Sequence, residues 1–425
     1  MLPLAAIAAC IAVECALLPI GIDEVDEGYF AQLAMRIVAG QLPYREFESL
    51  YTPGLHYVHA ALFVLLGGPY LLAPRALSVV FRAAVAALLY VIARPLVRRP
   101  LWAALPGLFL LVGLDPAPDL WEPHPGWPST LCALLAAWSL SHRPTTPWLL
   151  GAGVAAASAF AFKQNTGAYI LAALLVRGFP RPKQMVLPAL AFSAVTAAWI
   201  IPLLAAIDGQ VSLLAPFVGG GLNLAALHAD PEPTIMIPLL CLAAGLALAR
   251  GTHDPRLHWY LLAGSALFMT QFPRSDTVHL LWSAPLLLVL GAAALQRAPP
   301  AVALVVLASA LLLCLPVAQS RIQQVRQGTS TLHAPYATGI KVAPATAVNL
   351  TATVDDLRAR TAPGEAIFVY PSSPLLYVLA ERPNATRFEH LYAGAATTEQ
   401  MRQVIADVLP VRVVVISEYW RIAWG

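Results

Sequence analysis

Four carboxylates fall within five residues in the stretch Gly21-Ile22-Asp23-Glu24-Val25-Asp26-Glu27-Gly28-Tyr29-Phe30, which directly follows the apolar run 2–20. An apolar run of about 20 residues is long enough to cross the roughly 30 Å hydrocarbon core of a bilayer. The acidic cluster therefore marks the point where a first helix leaves a membrane. A solvated loop that ends the helix is one interpretation. A catalytic site is the other, because a carboxylate at a partly desolvated surface is suited to accept a proton from a hydroxyl group.

The composition of the whole chain indicates a membrane protein. Of its 425 residues, 59% are apolar and 12% are charged, against about 45–50% and about 25% in soluble proteins. The mean hydropathy is +0.69, and no water-soluble core is large enough for this excess. The predicted fold class is therefore mainly α, a polytopic transmembrane helix bundle. We predict eleven crossings, at about 2–20, 70–93, 101–114, 127–141, 147–162, 165–176, 185–206, 234–250, 258–272, 280–296 and 300–318.

Basic residues indicate the orientation of these helices, because Lys and Arg collect in cytoplasmic loops. With the N-terminus inside, the outer loops contain only four basic residues: Arg36, Arg45, Lys163 and Arg274. The inner turns contain ten, namely Arg94, Arg98, Arg99, Arg143, Arg177, Arg181, Lys183, Arg250, Arg256 and Arg297. The sequence therefore predicts a multi-pass inner (plasma) membrane protein with a cytoplasmic N-terminus. An apolar helix at 53–67 is predicted to lie at the interface, because a crossing there would break the charge pattern.

The chain divides at about residue 318, where the density of charged residues rises. Residues 1–318 are predicted to form the membrane domain, with outer loops at 21–69, 115–126, 207–233 and 273–279. Residues 319–425 are predicted to form a small extracytoplasmic α/β domain. In this domain, helical patterns at 348–360 and 397–409 alternate with strand patterns at 366–370 and 411–416. Such alternation is typical of a parallel sheet.

The first outer loop resembles one family of membrane enzymes in three short motifs. They are Asp26-Glu27-Gly28-Tyr29, Pro43-Tyr44-Arg45-Glu46-Phe47 and Tyr51-Thr52-Pro53-Gly54-Leu55-His56-Tyr57. This pattern is similar to the first outer loop of the C-type (GT-C) glycosyltransferases, which include glycosyltransferase family 39, the protein O-mannosyltransferases and the lipid A aminoarabinose transferases. The chain departs from the family at Thr52-Pro53-Gly54, where Pro-Pro-Gly is usual. The resemblance is strongest over residues 23–67.

The resemblance implies a function and two catalytic residues. Members transfer a sugar from a polyprenyl-phosphate donor to an acceptor on the outer side of the membrane, and they have acidic outer loops. The family's Asp-Glu pair falls on Asp26 and Glu27, with the first acid as the catalytic base. Asp23-Glu24 offers a second register for the same pair.

Further candidate residues lie in the other outer loops. Lys163 and Arg274 are predicted to hold the donor phosphate, because an ammonium and a planar guanidinium both suit a phosphate group. Glu122 and His124 are spaced to approach one cation, although two ligands alone make a weak metal signal. A divalent cation, Mg²⁺ or Mn²⁺, is accordingly the one cofactor suggested, and none is required. The residues predicted to contact the donor or acceptor sugar are Tyr57, Glu122, His124, Gln164, Asn165, Asp276 and His279.

Two interpretations of function stay open. In the first, the chain is an inverting glycosyltransferase whose partners are the bilayer, a polyprenyl-phosphate sugar and an envelope acceptor with a hydroxyl or amine group. In the second, it is a transporter or flippase that uses the same lipid without covalent chemistry. Internal repeats and midplane charges are typical of transporters, and the sequence has no visible repeat. The net charge of +3 gives no reason to expect a nucleic acid.

Overall fold

The computed structural model describes residues 2–113, 123–142, 144–207, 233–271, 276–391 and 396–417, and it is mainly helical. The first fourteen helices form the N-terminal three quarters of the chain. They are α1 (Leu2–Leu17), α2 (Asp26–Val38), α3 (Gly54–Leu66), α4 (Leu72–Ala93), α5 (Pro100–Leu108), α6 (Gly126–Ser139), α7 (Thr146–Phe162), α8 (Gln164–Gly178), α9 (Pro182–Ala206), α10 (Met236–Arg250), α11 (Pro255–Phe268), α12 (Thr277–Ser283), α13 (Pro285–Leu295) and α14 (Pro300–Gln327).

Four of the described helices are long and apolar enough to cross a membrane. These are α4, α9, α14 and α10 together with its preceding turn, Pro233–Arg250. The pair α12–α13 is bent by 77° and makes a fifth if it forms one broken span. Helices α1, α3 and α7 are apolar but shorter. A multi-pass membrane bundle is therefore confirmed in outline, whereas the number of eleven crossings stays a prediction.

A buried charge cluster joins three helices of the bundle. An oxygen of Glu14 on α1 lies 3.0 Å from a guanidinium nitrogen of Arg82 on α4. The other Glu14 oxygen lies 3.5 Å from Arg321 on α14. Because an isolated charge is very costly in an apolar interior, these groups are stable there only together.

The C-terminal part contains three helices and four short strands: β1 (Ser330–Thr331), β2 (Lys341–Val342), α15 (Pro344–Arg360), β3 (Phe368–Tyr370), α16 (Leu375–Ala380), α17 (Thr398–Val408) and β4 (Val414–Ile416). Strands β1 and β2 pair antiparallel. Strands β3 and β4 pair in parallel, with Phe368 opposite Val414. This is the α/β alternation that the sequence predicted. The preceding helix α14 runs through the expected domain boundary at 318 without a break.

Two apolar cores position the site. The larger core lies within the bundle and contains side chains from α4, α6–α8 and α10–α13. The second combines Ala31, Ala34, Ala60 and Phe63 with residues between Leu332 and Ala380 of the C-terminal part. The first four lie in the predicted outer loop 21–69, which is called the first outer segment below. The C-terminal part is therefore packed directly against the segment that carries the acidic cluster.

Candidate active site

The acidic cluster lies at the start of α2, where a local cap fixes its shape. One carboxylate oxygen of Asp23 accepts hydrogen bonds from the backbone N–H groups of Val25 and Asp26, at 2.8 and 3.2 Å. Helix α2 begins at Asp26, with Asp26 and Glu27 in its first turn and Arg36 in its last turn. This order of charges suits the helix dipole. The cap therefore holds the Asp26 carboxylate at the N-terminus of α2.

Glu27 forms a bidentate ion pair with Arg75. Arg75 of α4 donates from Nε and Nη2 to the two oxygens of Glu27 at 2.6 and 2.7 Å. The same guanidinium donates to the carbonyl oxygens of Leu18 and Gly21. Both partners of the ion pair are almost fully buried, whereas Asp26 is only partly buried. A catalytic role for Glu27 stays a prediction, and in the structure its carboxylate ties the start of α2 to α4.

The ring of Phe30, one turn after Asp26, packs near aromatic rings from two other segments. Its centre lies 5.8 Å from that of Tyr51 and 5.6 Å from that of His124. Tyr51 belongs to the outer segment between α2 and α3, and His124 precedes α6. The three rings form a contiguous aromatic surface beside the first turn of α2.

The imidazole of His124 is fixed in one tautomer. Its Nδ1 accepts a hydrogen bond from the backbone N–H of Gly126 at 2.9 Å. Burial, together with the charges of nearby Lys163 and His279, holds the pKa of His124 well below its usual value. The ring is therefore neutral with its proton on Nε2, which donates to the Tyr51 hydroxyl at 3.0 Å. Because the protein engages both ring nitrogens, this arrangement does not favour His124 as a metal ligand.

Trp282 of α12 brings three of the predicted residues together. The His124 ring stacks on the indole with the centres 3.8 Å apart and the planes parallel. The Nζ atom of Lys163 lies 4.7 Å from the centre of the indole, and the His279 ring lies 5.5 Å away. An ammonium over a tryptophan face is a favourable cation–π arrangement. Trp282 thus links the segments around residues 124, 163 and 279.

Lys163 lies where the helical backbone is interrupted. It stands between α7 and α8 with an extended backbone, φ −147° and ψ 108°. The side chain is only 5% exposed. The sequence placed this lysine between two short helices, and the structure agrees. The ammonium at this break lies over the Trp282 ring.

Asp276 caps α12 and holds His279. One oxygen of Asp276 accepts from the backbone N–H of His279 at 2.9 Å and from its Nδ1 at 2.7 Å. The pair thus joins the N-cap of α12 to a side chain in its first turn. The bond orients the His279 ring toward Trp282.

The predicted residues that follow Lys163 have separate contacts. Gln164 accepts from the Thr52 N–H at 3.3 Å and donates to the Leu50 carbonyl at 3.0 Å. It therefore ties the outer segment before α3 to the start of α8. Asn165 donates from Nδ2 to the carbonyl of Thr270 at 3.2 Å. Gln164 thus holds the backbone of the site, and Asn165 faces α11.

Tyr57 lies away from Trp282, in the wall of an apolar cavity of about 450 Å³. This cavity lies between the start of α3 and the ends of α7 and α9. Its lining residues are Leu42, Pro53, Gly54, Tyr57, Ala161, Trp199, Pro202, Leu203 and Ala206. Ala161 precedes Lys163 by two residues, so the cavity adjoins the segment that carries the ammonium.

Two predicted residues, Glu122 and Arg274, lie outside the described residues. Within the part of the chain that the structure describes, no three His, Cys, Asp or Glu side chains are grouped so that they could hold a metal ion. The site residues that the sequence missed are Phe30, Tyr51 and Trp282. A signal existed for Trp282, because it lies three residues after His279 and therefore on the same helix face.

The C-terminal part contacts the acidic cluster directly. The Ser373 hydroxyl donates to a Glu24 carboxylate oxygen at 2.8 Å, and the N–H of Leu375 donates to the Glu24 carbonyl at 3.2 Å. The ring of His390 stacks on Tyr29 at 4.5 Å. Near the end of α2, Arg36 forms a buried ion pair with Glu389 at 2.6 Å. These contacts span both ends of α2.

Comparison with known proteins places the chain by its fold. No family model and no curated protein matches the sequence. ArnT from Cupriavidus metallidurans, solved with bound undecaprenyl phosphate, is similar in structure with a TM-score of 0.64 at 13% identity, and 99% of this chain aligns with 91% of that protein. The oligosaccharyltransferase of Archaeoglobus fulgidus has a TM-score of 0.55 at 11% identity, over 89% of this chain and 64% of that protein. The chain therefore has the fold of the C-type membrane glycosyltransferases, which the motifs of residues 23–67 led us to expect.

Proposed function

We propose that the chain is an inverting membrane glycosyltransferase that moves a sugar from a polyprenyl-phosphate donor to an extracytoplasmic hydroxyl or amine. The observation that carries the proposal is the meeting of separate outer segments at one place. The acidic start of α2 reaches His124 through Phe30 and Tyr51, and His124 and Lys163 both contact Trp282. A base on one side and a cation on the other suit a displacement at an anomeric carbon.

Asp26 is the proposed general base. It lies in the first turn of α2 and is partly exposed, so an acceptor is able to approach it. Its carboxylate would take the proton of the acceptor hydroxyl as the oxygen attacks the anomeric carbon. The bond from that carbon to the phosphate oxygen breaks on the opposite face, and polyprenyl phosphate leaves. Glu27 and Arg75 would keep the loop in place.

Lys163 is the proposed partner of the donor phosphate. Its ammonium lies at the Trp282 ring and close enough to His124 to lower the pKa of that imidazole. Negative charge grows on the phosphate oxygen as the glycosidic bond breaks, and a fixed cation in a water-poor site stabilises this charge. Arg274, which lies outside the described residues, is proposed from the sequence as a second phosphate ligand.

The apolar cavity beside Tyr57 suits the lipid part of such a donor. Its volume of about 450 Å³ and its lining of aliphatic and aromatic side chains match a few isoprene units. It adjoins the end of α7, so a chain lying in it would bring its phosphate toward Lys163. The structurally similar ArnT was solved with undecaprenyl phosphate bound to it, and this supports a ligand of the same class.

The test is release of polyprenyl phosphate by the purified protein in lipid nanodiscs. The protein is incubated with a panel of polyprenyl-phosphate sugars and an envelope extract as acceptor, and free polyprenyl phosphate is measured. We expect Asp26→Asn to lower the rate by about 10²–10⁴, the contribution of a general base.

Asp356→Asn provides the matched control for this test. It makes the same chemical change in an exposed carboxylate on α15, and we expect the native rate. Full activity of folded Asp26→Asn would contradict the mechanism. Tight donor binding without release, with every acceptor, would support the transporter interpretation instead.

A further inference from the structure

Three buried polar atoms near Lys163 have no hydrogen-bond partner among the described residues. They are Oδ1 of Asn165, Oε1 of Gln271 and Nε1 of Trp282. Gln271 is 1% exposed and Trp282 is 3% exposed. A buried polar group without a partner loses its hydrogen bonds to water, and no hydrogen bond within the protein replaces them. Such atoms are therefore expected at a place where a ligand supplies the partners.

The orientation of the Asn165 side chain follows from its one hydrogen bond. Nδ2 donates to the carbonyl of Thr270 at 3.2 Å, so the other amide atom, Oδ1, is an acceptor. Gln271 follows Thr270 directly in a short helical turn, Met269–Gln271. The two amide oxygens thus lie at the same junction between the start of α8 and the end of α11.

The hydrogen-bonding groups at this junction indicate the class of ligand that would bind there. Two carbonyl-type oxygens accept hydrogen bonds, and therefore they suit O–H groups and repel phosphate or carboxylate oxygens. The indole N–H of Trp282 is a donor without a partner among the described residues, and the Lys163 ammonium, two residues before Asn165, contacts the same ring. A neutral sugar displays several hydroxyl groups that both donate and accept. The nearby positive charge of Lys163 disfavours a protonated amine at this place.

We propose that Asn165, Gln271 and Trp282 form the pocket for the sugar of the donor, and that this sugar is neutral and rich in hydroxyl groups. The inference rests on the proposed function, because it takes Lys163 as the phosphate ligand. Gln271 is then a specificity-determining residue. Its amide oxygen accepts from one sugar hydroxyl, and Asn165 accepts from a neighbouring one.

The test compares the affinity of two lipids for the protein in nanodiscs: a polyprenyl phosphate that carries a hexose and the same lipid phosphate without sugar. We expect the native protein to bind the glycosylated lipid at least tenfold more tightly. Gln271→Met keeps the volume of the side chain and removes the acceptor. It should reduce that preference to less than threefold, while the affinity for the bare lipid stays within twofold. Gln403→Met, on the exposed face of α17, is the matched control and should keep the preference.

A second measurement covers the case in which Gln271→Met fails to fold. Donors lacking one sugar hydroxyl each are tested on the native protein, and at least one should bind ten times more weakly. Where the variant folds, it should bind that donor and its parent equally. An unchanged preference in folded Gln271→Met, or equal binding of all the deoxygenated donors by the native protein, would overturn the sugar pocket and leave the proposed function standing. Binding of neither lipid by the native protein would overturn both.

Discussion

At the scale of single residues, Gly126 decides whether Trp282 is able to take its position. A Cβ atom at residue 126 would lie 2.3 Å from the Trp282 ring, and the backbone N–H of Gly126 also fixes the His124 tautomer. The absence of a side chain at residue 126 therefore allows Trp282 to take the position in which it contacts His124, Lys163 and His279. No motif in the sequence indicates this, because the partner is 156 residues away.

We predict that Gly126→Ala displaces the indole and lowers the transfer rate at least tenfold. Forcing extra atoms into a packed site costs typically about 1–3 kcal/mol, so the variant should still fold. The measurement is the release of polyprenyl phosphate together with the thermal midpoint. Gly151→Ala is the control, since its Cβ would meet nothing within 4 Å. It should keep its activity and gain roughly 0.5–1 kcal/mol, because alanine favours a helix interior. Native activity of Gly126→Ala would show that the Trp282 position is irrelevant to transfer.

The sequence singled out individual polar residues where their chemistry was unusual for their surroundings, and their roles stay predictions. Lys163, His124 and His279 were all candidates from the sequence, and the structure brings these three to one indole, with Asp276 bonded to His279. Trp282 itself was missed, although its position three residues after His279 places it on the same helix face, because a tryptophan in an apolar segment was taken as part of the span. Apolar side chains become site residues only through the fold.

At the scale of elements, the connection between α1, α2 and α4 depends on one guanidinium. Arg75 bonds both oxygens of Glu27 and two carbonyls after α1. The side chains of Arg75 and Glu27 are 1% and 3% exposed. Removal of one partner leaves an uncompensated charge, whereas removal of both charges leaves no buried ion.

We predict that Arg75→Met lowers stability by about 3–5 kcal/mol, the usual cost of breaking a buried ion pair. The double variant Glu27→Gln with Arg75→Met should recover a large part of that loss. Unfolding in detergent, followed by intrinsic fluorescence, gives both values. Arg360→Met is a suitable control, because its pair with Asp356 is exposed on both sides and such pairs contribute little. A double variant no more stable than Arg75→Met would show that the ion pair is not the source of the effect.

Element boundaries could be predicted where local signals are strong. The helix expected at 53–67 is α3, Gly54–Leu66, and the expected parallel strands are β3 and β4. The 77° bend between α12 and α13 was not foreseen, because a single predicted span covered both helices. Helix α14 was expected to end near 318 but continues to Gln327. Its last turns are polar, so hydropathy alone did not include them.

At the scale of the whole molecule, the C-terminal part and the first outer segment form one structure. Gly28 is so close to Leu375 that a Cβ atom would lie 2.2 Å from its backbone nitrogen. The sequence predicted two domains from composition, which carries no information about contacts between residues some 350 positions apart. The sequence predicted an α/β part outside the membrane, but it gave no indication that this part packs against α2.

The pH dependence of stability should report on the packing of His390 of the C-terminal part against Tyr29 of α2. Burial lowers the pKa of His390 to about 3, against about 6.5 in an unfolded chain. The unfolded state therefore binds more protons between these values. Stability is full above about pH 6.5 and is lost as the pH falls, by up to about 1.4 kcal/mol per pH unit for this group.

We predict that His390→Phe flattens the decline of the thermal midpoint between pH 7 and pH 5. Phenylalanine keeps a ring against Tyr29 but does not titrate, although it loses the hydrogen bond to Ser372. His333→Phe, at an exposed position, should leave the slope unchanged. An identical slope in His390→Phe and the native protein would assign the pH dependence to other groups.

The contact between Glu24 and Ser373 also has a consequence for biosynthesis. The two residues are separated by 349 positions, so the ribosome finishes the first outer segment long before its support exists. Membrane insertion of the early helices can proceed without that support, whereas the geometry around Asp26 depends on residues that emerge some 350 positions later. A chain whose synthesis stalls after α14 would therefore have its membrane helices in place, but the segment around Asp26 would lack its support. Under the proposed function, late assembly of this kind would delay any reaction with a donor lipid until the support of the first outer segment has been made.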